Sequence, residues 1–189
     1  MAVAFDAFDF LIVPGRGNSG PQHWQSHWLK ELPKSSRVQQ SDWGKPQPTD
    51  WVGSLDAAVS AAPRRVVLIA HSLATSTVVK WAAGADARQT AKVAAAFLVA
   101  TTDVENPDPS FDLVRPFAPL PRQNLAFPSL VVASRNDPRV SFSRSLEFAQ
   151  AWGADFADAG EVGHIGNEAH LGVWAPGLLW LGGLLSKVN

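Results

Sequence analysis

The chain has 189 residues, 46% hydrophobic and 17% charged, with a formal net charge of −1 and no cysteine. That length and balance suit one domain with a sizeable buried core, and they argue against a nucleic-acid or anionic-membrane surface as the main partner. The lack of cysteine excludes disulfides, thiolate catalysis and Cys-based metal sites, and no apolar run reaches the roughly 18 residues of a membrane span.

In chain order, Met1-Ala2-Val3-Ala4-Phe5-Asp6 lacks the basic start of a signal peptide, so a cytoplasmic protein is expected. The apolar run Phe8 to Val13 reads as a strand and is followed by a Gly-rich loop, Pro14 to Gly20. A helix is expected over Gln22 to Leu32, where Trp24 and Trp28 form an apolar stripe for core or rim packing. His23 and His27 share that i, i+4 spacing, but no third ligand is evident, so they read as ordinary polar positions. A short strand near Val38 precedes a helix from Asp50 to Ala61, with Thr49-Asp50 as its cap. Val66-Val67-Leu68-Ile69 reads as a buried strand, Leu73 to Ala83 as a helix, and the stretch around Ala94 as the next strand. Thr101 to Pro128 holds six prolines and reads as an irregular loop beside the site. Then come a strand at Ser129 to Ser134, a helix at Phe142 to Trp152 capped by Ser141, a short strand at Asp155-Phe156-Ala157, and a helix at Pro176 to Leu185. Strands alternating with helices predict an α/β fold over 1–189, a mostly parallel sheet with helices on both faces.

Chemistry enters at Ala70-His71-Ser72-Leu73-Ala74, which lies between the Val66 strand and the Leu73 helix. A strand, sharp turn and helix in that order lift one serine hydroxyl out of the sheet edge, the arrangement called a nucleophile elbow. Its usual pattern is G-x-S-x-G, and here both small positions are alanine. Ser72 is therefore the candidate nucleophile. Asp137 follows the Ser129 strand in Arg135-Asn136-Asp137-Pro138, and His164 follows the Asp155 strand in Gly163-His164-Ile165-Gly166-Asn167. The order Ser72, Asp137, His164 is that of α/β-hydrolases, and loops at the carboxyl ends of parallel strands share one crevice. A serine hydroxyl is a poor nucleophile at neutral pH, so His164 would take its proton and Asp137 would fix the imidazole tautomer. His71 would point away from the reacting face and pack.

An oxyanion needs backbone donors. The N–H of Leu73 is expected to supply one and that of Arg16 the other. The same Gly15-Arg16-Gly17-Asn18-Ser19-Gly20 is a literal G-x-G-x-x-G with an acid, Asp42, about 20 residues on, which supports a rival reading as a dinucleotide-binding oxidoreductase. That rival leaves the loops of Ser72, Asp137 and His164 without a role.

Val13-Pro14-Gly15-x-Gly17, Ala70-His71-Ser72-Leu73, Phe127 to Pro138, and Gly163-His164-Ile165 followed by Gly172-x-Trp174 resemble the small serine hydrolases of the YdeN and retinoblastoma-binding protein nine group. The resemblance spans nearly the whole chain and places the family triad on Ser72, Asp137 and His164. Ala74 departs from the glycine of many relatives. The mammalian member's retinoblastoma-binding motif requires a cysteine, so that partner role does not carry over. A minimal α/β-hydrolase is expected, acting on an ester, thioester or amide of a small molecule through an acyl-enzyme, and Thr101 to Pro128 is too short to hold a large cap. No cofactor, metal, nucleic acid or membrane is expected to take part. Gly15, Gly17, Asn18 and Trp174 are the candidate substrate contacts, and Arg16 and Arg135 stand on loops that face the site, where solvent exposure is expected over contact with an acidic substrate. The cleft is expected to be shallow and lined by Trp and Phe. A non-catalytic interaction protein on a hydrolase fold is the remaining alternative.

Overall fold

The computed structural model describes residues 5–188, so Met1 to Ala4 of the segment read for a leader lie outside it. Six strands form one parallel sheet: β1 (Asp9–Val13), β2 (Ser35–Arg37), β3 (Val66–His71), β4 (Val93–Val99), β5 (Ser129–Ala133) and β6 (Asp155–Asp158). Their spatial order is β2-β1-β3-β4-β5-β6. Every residue of β3 and β4 is buried, as the uninterrupted apolar runs require when both faces of a parallel sheet are covered. Alternation along β1 splits its side chains: Phe10 and Ile12 face one layer, Leu11 and Val13 the other. Helices α1 (Trp24–Glu31) and α6 (Ala175–Leu185) cover the first face, with Trp24, Trp28, Leu181 and Leu184 in contact with it. Helices α2 (Pro48–Ala61), α3 (Leu73–Gly84) and α5 (Phe142–Trp152) cover the second through Trp51, Leu55, Val78, Phe148 and Trp152.

Local signals account for most boundaries. Ser141 caps α5 by accepting from the Arg144 N–H, and Gly153 ends it in the left-handed region at φ 63°. Helix α2 begins earlier than its expected Thr49-Asp50 cap, because Pro48 occupies the first turn, where a fixed φ suits it. Strand β2 lies just before the expected Val38, whose N–H still bonds the Ile12 carbonyl at 2.9 Å. The five-residue α4 (Ala87–Ala91) has no counterpart in the sequence reading; it is too short to show a period and is held by an Asp86/Gln89 capping box.

The Pro-rich stretch from Thr101 to Pro128 is irregular, with two single 3₁₀ turns at Pro109–Phe111 and Arg115–Phe117. It buries Val104, Phe111, Val114, Phe117, Leu120 and Phe127 against the second face. Glu105 pins it to its surroundings, accepting from the Leu120 N–H at 2.8 Å and from Arg122 at 2.7 Å, and it also meets Arg144 of α5. No cap domain intervenes between β4 and β5 among the described residues. None of the described helices is long and apolar enough to cross a membrane.

Candidate active site

The sheet order reverses between β1 and β3, and the loops leaving those two strands meet there. That is where an open α/β sheet forms its crevice. Ser72 sits between β3 and α3 at φ 58° and ψ −126°, a conformation rare for a residue with a side chain. The strand before it and the helix after it hold that turn, and its N–H bonds the Val99 carbonyl at 2.9 Å. Small neighbours are needed because the β1 loop packs onto the turn. A Cβ on Gly15 would lie 2.8 Å from the Ser72 Cβ and 2.9 Å from the His71 carbonyl oxygen. Gly15→Ala is therefore expected to cost about 1 to 3 kcal/mol of stability by overpacking. It should also lower kcat/KM about 10²-fold by displacing the hydroxyl. Denaturant unfolding and ester turnover check this; a variant with wild-type values of both would contradict the close approach.

Three side chains from three loops form one hydrogen-bonded line. Ser72 Oγ lies 2.8 Å from His164 Nε2, and His164 Nδ1 lies 2.9 Å from both carboxylate oxygens of Asp137. The Asp137 side chain is fully buried and also accepts from the Arg139 N–H at 2.8 Å, whereas His164 keeps 24% of its side chain exposed. A carboxylate at Nδ1 holds the ring with its proton there, so Nε2 is left to accept from the serine.

The loop that presents His164 is tied down from behind. His71 Nε2 donates to the His164 carbonyl at 2.9 Å, Trp24 Nε1 donates to the Ile165 carbonyl at 2.8 Å, and Gly163 N–H donates to Asn136 Oδ1 at 2.7 Å. His71 thus packs against the His164 loop, and against the expectation that it points away from the site it also lines the larger cavity beside Ser72. His23 corrects the reading of an ordinary polar position: it is buried, caps α1 through Nδ1, and its ring centroid lies 4.7 Å from that of His71. Burial lowers the pKa of His23 to about 4, with Arg37 adding to the effect, and burial holds that of His71 well below the usual histidine value. Both rings are therefore neutral at pH 7.

Two cavities open on the Ser72 and His164 side chains. The smaller, about 190 Å³, is bounded by Leu73, Thr102, Phe111, Val114 and the two arginines Arg16 and Arg139. The larger, about 590 Å³, runs along Gly15, Asn18, His23 and the 161–169 segment. Leu73 and Arg16, the expected oxyanion donors, therefore border the same small cavity as Ser72. Gly15 and Asn18 line the larger one, but Gly17 lines neither and its N–H is spent on the Trp43 carbonyl at 2.9 Å. Trp174 is corrected outright as a substrate contact: it is 5% exposed and packs among Trp24, Trp28, Phe97 and Trp180 between α1 and α6. Phe111 lines the smaller cavity, but no tryptophan lines either one, against the expected aromatic cleft. Arg135 is paired with Asp158, its Nε donating at 2.8 Å. Thr102, whose Oγ1 lies 3.0 Å from Ser72 Oγ, is a neighbour that no motif announces.

The dinucleotide reading fails on the same geometry. Helix α1 starts only at Trp24, beyond the glycines, and the Asp42 carboxylate is taken up by the N–H groups of Gly44 and Lys45 at 2.7 and 2.9 Å. No cluster able to hold a metal ion occurs among the described residues.

Sheet order, elbow and crevice define an α/β-hydrolase fold. Residues 10–182 match the model of the Serine hydrolase family, and the chain belongs to it. A YdeN-like hydrolase from Pectobacterium atrosepticum is 30% identical, with a TM-score of 0.84 over 96% of this chain and 93% of its own. The ydeN gene product of B. subtilis superposes with a TM-score of 0.77 at 19% identity, over 95% of this chain and 100% of its own. Est1E from Butyrivibrio proteoclasticus, solved with ferulic acid bound, superposes at 0.72 with 11% identity, over 97% of this chain and 92% of its own. No curated protein matches the sequence.

Proposed function

We propose that the protein hydrolyses an ester, thioester or amide of a small acyl compound through Ser72, His164 and Asp137. The observation that carries this reading is the unbroken line from Ser72 Oγ through both His164 nitrogens to a buried Asp137. In the first half-reaction Ser72 Oγ bonds to the acyl carbon while His164 Nε2 takes the hydroxyl proton and delivers it to the leaving atom. The N–H groups of Leu73 and Arg16 stabilise the transient oxyanion. Water then loses a proton to His164 and attacks the acyl carbon; the bond to Ser72 Oγ breaks, His164 returns the proton to Oγ, and the acid leaves. No step needs a cofactor or metal. An interaction protein on the same fold would gain nothing from a buried carboxylate behind a partly exposed imidazole, which favours the enzyme.

The smaller cavity's volume of about 190 Å³ and the missing cap favour short, water-soluble substrates. Across p-nitrophenyl esters from acetate to palmitate, kcat/KM should be highest among the short chains, with no jump at the micellar concentration. A burst of p-nitrophenol stoichiometric with enzyme is expected wherever deacylation is slow. Efficiency that climbs steadily to palmitate would overturn the substrate class, and absence of turnover across the series would overturn the ester reading.

A further inference from the structure

The smaller cavity differs from the larger in its charge. Arg16 and Arg139 border both, but Glu161 and Glu168 line only the larger and no acidic residue lines the smaller. Among the described residues neither arginine has an ion-pair partner, although Arg64, Arg115, Arg122, Arg135 and Arg144 are all paired. The Arg139 guanidinium lies 5.6 Å from the centroid of the Phe111 ring, which fixes it at the wall of the cavity. A guanidinium on an aromatic face keeps its N–H donors for an anion, and the fork suits a carboxylate. Two arginines without an ion-pair partner at the cavity that Ser72 also borders are costly company for an apolar acyl chain.

Orientation follows from the proposed reaction, on which this inference rests. The substrate carbonyl oxygen must point at the Leu73 and Arg16 N–H groups, which places the acyl chain in the smaller cavity, the one of the two that Leu73 borders. The leaving group must lie against His164 Nε2 and then runs into the larger cavity along the 161–169 segment. A volume of about 190 Å³ holds roughly six water-sized groups. The geometry points to a short acyl group ending in a carboxylate, such as a glutaryl chain, held by the side chains of Arg139 and Arg16. These side chains select the substrate and take no part in bond making: hydrolysis of the monoester releases the free dicarboxylate and the alcohol.

The test compares mono-p-nitrophenyl glutarate with p-nitrophenyl 5-methylhexanoate, in which an isopropyl group replaces the carboxylate, each corrected for spontaneous hydrolysis. The wild-type enzyme should favour the glutarate in kcat/KM by about tenfold or more, the size of a charge-assisted contact at a partly exposed site. The preference should shrink as ionic strength rises from about 0.01 to about 1 M. Arg139→Gln should reduce the ratio of the two esters and Arg139→Glu should invert it, with the change carried by KM more than by kcat. A wild type that turns over both esters with equal efficiency, or a ratio indifferent to Arg139→Glu, overturns the anionic acyl site and leaves the hydrolase reading standing. Turnover of neither ester overturns both. Should the variants not fold, the wild-type ratio and its salt dependence decide alone.

Discussion

Ser72→Ala is expected to lower kcat for a short p-nitrophenyl ester by about 10⁴-fold or more, a loss of at least ~5.5 kcal/mol of transition-state stabilisation. The fold should be kept, because the residue contributes its backbone to the elbow and its N–H bond to Val99 survives the substitution. Alanine at φ 58° is strained no more than serine. A small remnant of catalysis over water should persist, from the Leu73 and Arg16 N–H groups and from substrate binding. Circular dichroism and unfolding midpoint separate loss of chemistry from loss of structure. Turnover in the variant within a factor of a few of wild type would remove Ser72 from the reaction.

Asp137→Asn should lower kcat by about 10³- to 10⁴-fold with little change in KM. Asparagine can still accept the Arg139 N–H at Oδ1, so the loop keeps its bond. Its amide cannot hold the His164 proton on Nδ1, and the ring is left in the tautomer that cannot accept from Ser72. The ring is also held by geometry rather than by Asp137 alone, since His71, Trp24 and Asn136 fasten its loop. Hence the loss should appear in chemistry and not in the unfolding midpoint. The double variant with Ser72→Ala should be hardly worse than Ser72→Ala, because residues that act as a unit are strongly non-additive. Additive losses in the cycle would mean that the three side chains do not work together.

Much of this site is legible in the amino-acid sequence. Apolar β3 ending at Ala70-His71-Ser72 announces the turn, and the acid and imidazole each follow a strand, so parallel strands with a common loop end bring them close. Helices with strong caps are readable for the same local reason, as at Ser141. What stays hidden depends on neighbours far apart in the chain. His23 looks like a surface residue because its periodicity gives no hint that His71 lies against it. Trp174 follows the His164 loop in sequence, yet its ring turns inward to complete an aromatic cluster, which adjacency cannot reveal. Arg135 and Arg139 flank the same acid and look alike in sequence. Only the fold puts Asp158 beside one and the cavity beside the other. Thr102 belongs to no motif and is recognised only by its contact with the Ser72 hydroxyl.

The most direct measurement is the site of attack by an uncharged fluorophosphonate, read by intact-mass and peptide mass spectrometry. Activation of the Ser72 hydroxyl through His164 and Asp137 should give a single adduct on the peptide bearing Ser72, none in Ser72→Ala, and much slower labelling in His164→Ala and Asp137→Asn. An adduct on another serine, or labelling of Ser72→Ala at the wild-type rate, would contradict it.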